Sequence, residues 1–131
     1  MQDQPHPHEI VAVVAEFLGA SKPESVSRFQ LRVAGNALDI AQRQLELSPA
    51  ADAAELARLT AMLEHGGAIA ELNRELGQTI TSGAMDLSTP GLAAHLWETT
   101  LAKLAVDQPT YSGYRAALRT LRQAHPSTSS G

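Results

Sequence analysis

The sequence predicts an all-α protein: a single-domain antiparallel helical bundle of about six helices over residues 1–125, followed by a disordered tail at 126–131. Three observations carry this. Ala and Leu supply 22 and 17 residues against 10 for Val plus Ile, and Ala and Leu lose little rotamer freedom in a helix. Apolar residues recur at spacings of three, four and seven rather than in alternation. Gly and Pro fall mostly between the periodic runs, where chain reversals belong. At 131 residues with 44% apolar content, the chain suits one core and should fold without metal or disulfide.

The first helix is predicted over 7–19, with Pro7 in its first turn, Glu9 near its positive end, and Ile10, Val13, Val14, Phe17 and Leu18 on one face. Gly19 ends it. A central helix follows over about 24–47, with Val26, Phe29, Val33, Ala37 and Ile40 in one apolar row and Leu31, Ala34, Leu38, Ala41 and Leu45 in a neighbouring one. Ser48-Pro49 is expected to stop it, and Asp52 to cap a third helix with Leu56, Leu59 and Leu63 facing inward and Glu55 paired with Arg58 outside. Gly66-Gly67 closes that helix. The fourth, about 68–82, aligns Ile69, Leu72, Leu76 and Ile80, with Gly77 a weak point of about 1 kcal/mol against Ala unless another helix approaches closely there. Ser88-Thr89-Pro90 opens the fifth, which carries Leu92, Leu96, Trp97, Leu101 and Leu104 as far as Val106. The sixth starts near Thr110 and aligns Tyr111, Tyr114, Leu118 and Leu121, with Arg115, Arg119 and Arg122 on another face. Phe29, Val33, Leu38, Leu96, Trp97, Leu104 and Tyr111 are expected to share one core.

Composition narrows the function. A net charge of -4 with no long basic run argues against nucleic acid. The absence of cysteine removes thiolate ligands and thiol nucleophiles. The apolar stretch at 10–20 is short and broken by Glu16, so neither a signal peptide nor a membrane span is expected, and the default location is the cytoplasm. No Gly-rich phosphate loop or nucleophile elbow occurs. His6 and His8 are expected on the surface. His95 and Glu98 stand three apart on one helix, but no Glu-x-x-His pair accompanies them, so His95 is expected to be solvated or packed and no metal or cofactor is predicted. No catalytic residue is assigned.

Two polar constellations remain. Arg32, Asn36, Asp39 and Arg43 form a stripe on the central helix that could hold an anion through Arg32. A solvated face with an Asp39–Arg43 pair accounts for the same residues and is the preferred reading. Lys103 and Asp107 stand four apart just before Pro109 and Tyr111, where Asp107 is positioned to cap the next helix or fix Lys103.

The stretches RVAGNALDIAQRQLEL at 32–47 and LAKLAVDQPTY at 101–111, with the opening Pro-x-x-x-Glu-Ile and Phe17-Leu18, resemble an uncharacterised bacterial family of small helical proteins. The family resembles products encoded beside acyl-CoA dehydrogenases and aminoglycoside-phosphotransferase-like kinases. The likeness spans about residues 5–114, with Arg32, Asn36, Ala37, Leu38, Lys103, Leu104, Asp107 and Pro109 matching best. The chain departs from it in a shorter Ser-rich link at 19–27 and in Gly35 and Gln44, where Ala and Glu are expected. The resemblance implies a role near acyl-CoA or kinase-dependent catabolism and brings no activity with it.

Two functional readings follow. The first is a non-enzymatic accessory or protein-interaction module, forming a homodimer or a complex with a neighbouring acyl-CoA dehydrogenase or phosphotransferase-like enzyme, because its apolar rows outnumber what one small core buries. The second is a small-ligand binder for an acyl-CoA or phosphate-bearing molecule, with Arg32, Asn36, Lys103 and Asp107 as the ligand-binding residues.

Overall fold

The structure, a computed structural model, describes residues 4–124. Among these there are five α-helices and no strand: α1 (Pro7–Ala20), α2 (Arg28–Leu63), α3 (Ile69–Thr81), α4 (Leu92–Asp107) and α5 (Ser112–Ala124), with a 3-10 turn at Pro23–Ser25. The predicted tail at 126–131 lies outside the described residues.

The expected break at Ser48-Pro49 does not occur. Pro49 sits inside α2, a single helix of 36 residues that spans about 54 Å at 1.5 Å per residue. A helix-interior proline loses one backbone hydrogen bond and crowds the preceding turn. Here strong helix formers, Ala50, Ala51, Ala53, Ala54 and Ala57, follow at once, and neighbouring helices pack on both sides of the proline, so tertiary packing overrides the local penalty. Five helices result instead of six.

The start of α2 also differs from expectation. Ser27 is its N-cap: the Gln30 backbone N–H donates to Ser27 Oγ at 3.1 Å, and the Ser27 N–H donates to Gln30 Oε1 at 2.8 Å. This reciprocal box satisfies two otherwise orphaned donors and places the helix start at Arg28 rather than near 24. At the other end, Glu64 takes the left-handed conformation (φ 64°) and returns its N–H to the Thr60 carbonyl, ahead of the two glycines.

The helix α2 is the spine to which α1, α3 and α4 each attach, while α5 touches only α4 among the described residues. Helix α4 runs antiparallel to it, because Arg58 reaches His95 while Arg43, about four turns earlier on α2, reaches Val106. Helix α3 folds back along the end of the spine, bringing Asn73 to Glu55, and α1 lies against its beginning. The main apolar cluster sits at the far end, where Leu59, Leu72, Leu76 and Leu92 are enclosed with Leu56, Met62, Leu63, Ile69 and Met85 around them, while Val14, Ala41 and Val106 are buried outside it, nearer the middle of the spine.

That location corrects the expected core. Phe29, Val33, Leu38, Leu96, Trp97 and Tyr111 are all exposed, Phe29 by 65% and Val33 by 51%, and only Leu104 is half-buried. Periodicity shows that a helix face is apolar; it does not supply the neighbour that covers the face. The 14 residues of α1 cover the middle of the apolar surface on the first half of α2 and leave both flanks open. The molecule is therefore a spine with attached helices and one enclosed end, rather than a bundle closed around a single core.

Candidate functional site

Three features arise along the spine. The first is a cleft of about 510 Å³ where the two polar constellations meet, lined by Asn36, Asp39, Ile40 and Arg43 of α2 and by residues 107–111 between α4 and α5. Arg43 builds it. Its Nε donates to the Val106 carbonyl at 2.7 Å, satisfying an acceptor in the last turn of α4 that no helical N–H can reach and placing a cation at the negative helix end. Arg43 thus crosses to α4 instead of pairing with Asp39 among the described residues. Of the four residues expected to bind a ligand, Asn36 and Asp107 are brought together on this cleft. Arg32, exposed one turn away, and Lys103, half-buried one turn before Asp107, do not line it. The cleft holds two carboxylates (Asp39 and Asp107), two amides (Asn36 and Gln108) and one guanidinium already committed to a backbone carbonyl.

The second feature is a polar cluster in the enclosed end. Glu55 and His95 are 2% and 1% exposed. Asn73 Nδ2 donates to Glu55 Oε1 at 2.7 Å, while Glu55 Oε2 is buried with no hydrogen-bond partner among the described residues. Arg58 donates through Nε to His95 Nδ1 at 3.3 Å, through Nη1 to Glu98 Oε2 at 2.7 Å and through Nη2 to Thr99 Oγ1 at 3.4 Å. Accepting at Nδ1 requires the neutral imidazole with its proton on Nε2. Burial, reinforced by the Arg58 guanidinium, holds the His95 pKa below its ordinary value, with Glu55 and Glu98 acting in the opposite direction.

The expected Glu55–Arg58 surface pair is therefore not made: Glu55 turns inward to α3, and Arg58 crosses to α4. A sequence signal for this exists. Glu55, Leu59 and Met62 share one row of α2, and His95 follows Leu92 by three residues on α4, so both polar groups stand on core-facing rows. His95 is packed, one of the two alternatives the sequence left open, and His6 and His8 are exposed as expected.

The third feature is apolar. Val13, Val14 and Phe17 of α1 and Phe29, Val33, Ala34 and Ala37 of α2 line a groove of about 370 Å³, with Gln30 its one polar side chain among the described residues. The groove opens on the flank of α2 that carries the exposed Phe29 and Val33.

These features define an all-helical domain in which two separate sequence stretches, 32–47 and 101–111, are pinned together by the Arg43 to Val106 hydrogen bond. The chain belongs to the family described as domain of unknown function DUF6285, whose model matches residues 22–111 and so includes both stretches. No curated protein and no solved structure matches the chain. No helix among the described residues is long and apolar enough to cross a membrane.

Proposed function

We propose that this protein is a non-enzymatic interaction module whose working surface is the apolar face of α1 and the first half of α2. The observation that carries the reading is the exposure of Phe29, Leu31, Val33 and Leu45 on α2 beside Val13 and Leu18 on α1. Exposed apolar patches of this extent mark surfaces that another protein covers. The resemblance to products encoded beside acyl-CoA dehydrogenases and aminoglycoside-phosphotransferase-like kinases supplies the partner classes, and the accessory role would lie in catabolism that runs through those enzymes.

A second reading places a small acyl-CoA or phosphate-bearing ligand in the cleft, with Asn36 and Asp107 on its wall and Arg32 and Lys103 near its rim. The meeting of two separate sequence stretches around one cleft favours a ligand there. Its charge favours the first reading, because two carboxylates against one engaged guanidinium repel an anion.

Sedimentation velocity of the Phe29→Ser, Val33→Ser double variant tests the proposal, alone and co-expressed with a candidate enzyme of either class. The expected result is unchanged helical circular dichroism with loss of association, because both side chains already face water. Association that survives the substitutions, or a chain that unfolds because of them, overturns the proposal.

A further inference from the structure

The chain exposes 9131 Å², whereas a compact monomer of its 13.9 kDa exposes about 6,700 Å². Setting aside the most that the ten residues outside 4–124 can expose, about 1,500 Å², leaves an excess of roughly 900 Å². One side of a standard protein interface buries about 800 Å². The uncovered surface is therefore large enough for a stable dimer.

Its place follows from helix geometry. At 100° per residue, Phe29, Val33 and Ile40 lie on one flank of α2, Leu31, Leu38 and Leu45 on the other, the alanines that meet α1 between them, and Arg28, Arg32 and Asp39 opposite. The apolar arc is about 200° wide, twice the stripe a helix with one covered face needs. The end of α4 reaches this half of the spine at Arg43, but beside Phe29 and Val33 the groove is lined by α1 alone among the described residues, and one neighbour there is too few.

Helix α5 presents the converse problem. It is the most strongly amphipathic of the five helices, yet none of its residues is fully buried: Tyr114 and Leu118 are half-buried and Leu121 is exposed. Its start is held in place: the Tyr111 N–H donates to the Gln108 carbonyl at 3.0 Å and the Arg115 N–H to the Tyr111 carbonyl at 3.1 Å. The Tyr111 ring lies against Gly113 so closely that a Cβ there would stand 2.7 Å from it. So held, α5 does not reach the groove of its own chain. Its ridge of Tyr114, Leu118 and Leu121 has the spacing that a helix lays into an apolar groove. That ridge is about 10 Å long, against about 12 Å for the groove wall from Phe29 to Ala37.

We propose that two copies of this chain pair by reciprocal exchange, the α5 ridge of each filling the α1–α2 groove of the other. Each copy carries both the ridge and the groove, so the pairing closes on itself as a two-fold dimer. The inference rests on the interaction-module reading and names its partner as a second copy of the chain.

The chain has no cysteine, which makes a mixed cross-linking experiment clean. A Val33→Cys chain mixed with a Leu121→Cys chain should form a disulfide-linked dimer under mild oxidation, and sedimentation of the native protein should give twice 13.9 kDa. Leu121→Asp, at the most exposed residue of the ridge, should halve that mass and keep the helical circular dichroism. A dimer that gives no mixed disulfide, or that persists with Leu121→Asp, overturns the exchange. A native monomer that binds a co-expressed enzyme through Phe29 and Val33 overturns self-pairing and leaves the interaction-module reading standing. A native monomer with no such binding overturns both.

Discussion

The two ends of α2 are built on opposite principles. Beyond Pro49 the spine is enclosed: α3 and α4 cover it, Leu59 is 0% exposed, and even polar Glu55 and His95 are folded inward, each with a hydrogen bond to a neighbouring helix. Before Pro49 the spine is as apolar but half-clothed: α1 lies over the middle of its surface, the end of α4 is held at Arg43 where Ala41 is buried, and Phe29, Leu31, Val33 and Leu45 stand in water. One continuous helix thus joins an end that stabilises the chain to an end that offers surface. The lesson is that apolar content along a helix does not locate the core. The core is largest where two helices return to the spine around leucines, as α3 and α4 do at Leu59; before Pro49 the end of α4 reaches the spine only at Arg43, where small Ala41 is buried, and Phe29 and Val33 are left with α1 alone beside their groove.

The largest expected effect tests that contrast directly. Leu59→Ala removes a fully enclosed side chain at the centre of the leucine cluster and should cost about 2–5 kcal/mol, the range for large-to-small changes in a packed core. Phe29→Ala, measured in chemical denaturation at a concentration low enough to keep the chain monomeric, should cost no more than about 0.5 kcal/mol. At higher concentration its cost should grow, because a partner that covers Phe29 stabilises the folded state by mass action. Equal costs at both sites in the dilute protein would abolish the distinction between the two ends.

A smaller effect sharpens the description of the enclosed end. Folding holds the His95 pKa below its ordinary value of 6.5, so between the folded and unfolded values the unfolded chain binds more protons. The contribution of neutral His95 is then fully present above about pH 6.5 and is lost as the pH falls through the window below it. Arg58, Glu55 and Glu98 are the charged groups that act on the ring. His65 works in the opposite sense. Its hydrogen bond to Glu75 raises its pKa, so its contribution is present in acid and lost as the pH rises through the folded value. His65 is solvent-exposed, so its contribution is the weaker one. Urea midpoints should therefore fall from pH 7.5 to 5.5, and His95→Gln should flatten that slope. A slope unchanged by the substitution would place the titrating group elsewhere.

Much of this fold is legible in the sequence, and the exceptions have physical causes. The helices predicted over 7–19 and 68–82 correspond to Pro7–Ala20 and Ile69–Thr81, because proline, glycine and serine punctuate the chain at their ends. The fusion at Pro49 was not legible, since it depends on packing on both sides of a residue that locally argues for a stop. The capping box of Ser27 and Gln30 is a motif the sequence carries, but the apolar periodicity begins at Val26, ahead of it, and points to an earlier start. A packed His95 is one of the two alternatives the sequence leaves open, whereas the burial of Glu55 is masked by its polarity, although it stands on a row with buried leucine. Of the candidate ligand residues, Asn36 and Asp107 converge while Arg32 and Lys103 lie off the cleft. That difference depends on how α4 is turned against α2, which Arg43 and Val106 determine and neither segment encodes alone.

The smallest expected effect compares one glycine from each end. Gly35 lies in the half-clothed part of α2 and Gly77 in α3 at the enclosed end, both inside helices, where glycine costs about 1 kcal/mol against alanine through lost backbone entropy. A Cβ built at either position meets nothing within 4 Å, so no close helix approach justifies either residue. Gly35→Ala and Gly77→Ala should each raise stability by about 0.5–1 kcal/mol, read as a rise in thermal midpoint. Gly35 faces the charged stripe of Arg28, Arg32 and Asp39 rather than the apolar arc, so its substitution should also leave self-association unchanged. If Gly35→Ala weakens pairing, the partner lies across the charged stripe, and the division of α2 into an apolar docking arc and a solvated polar face has been drawn along the wrong line.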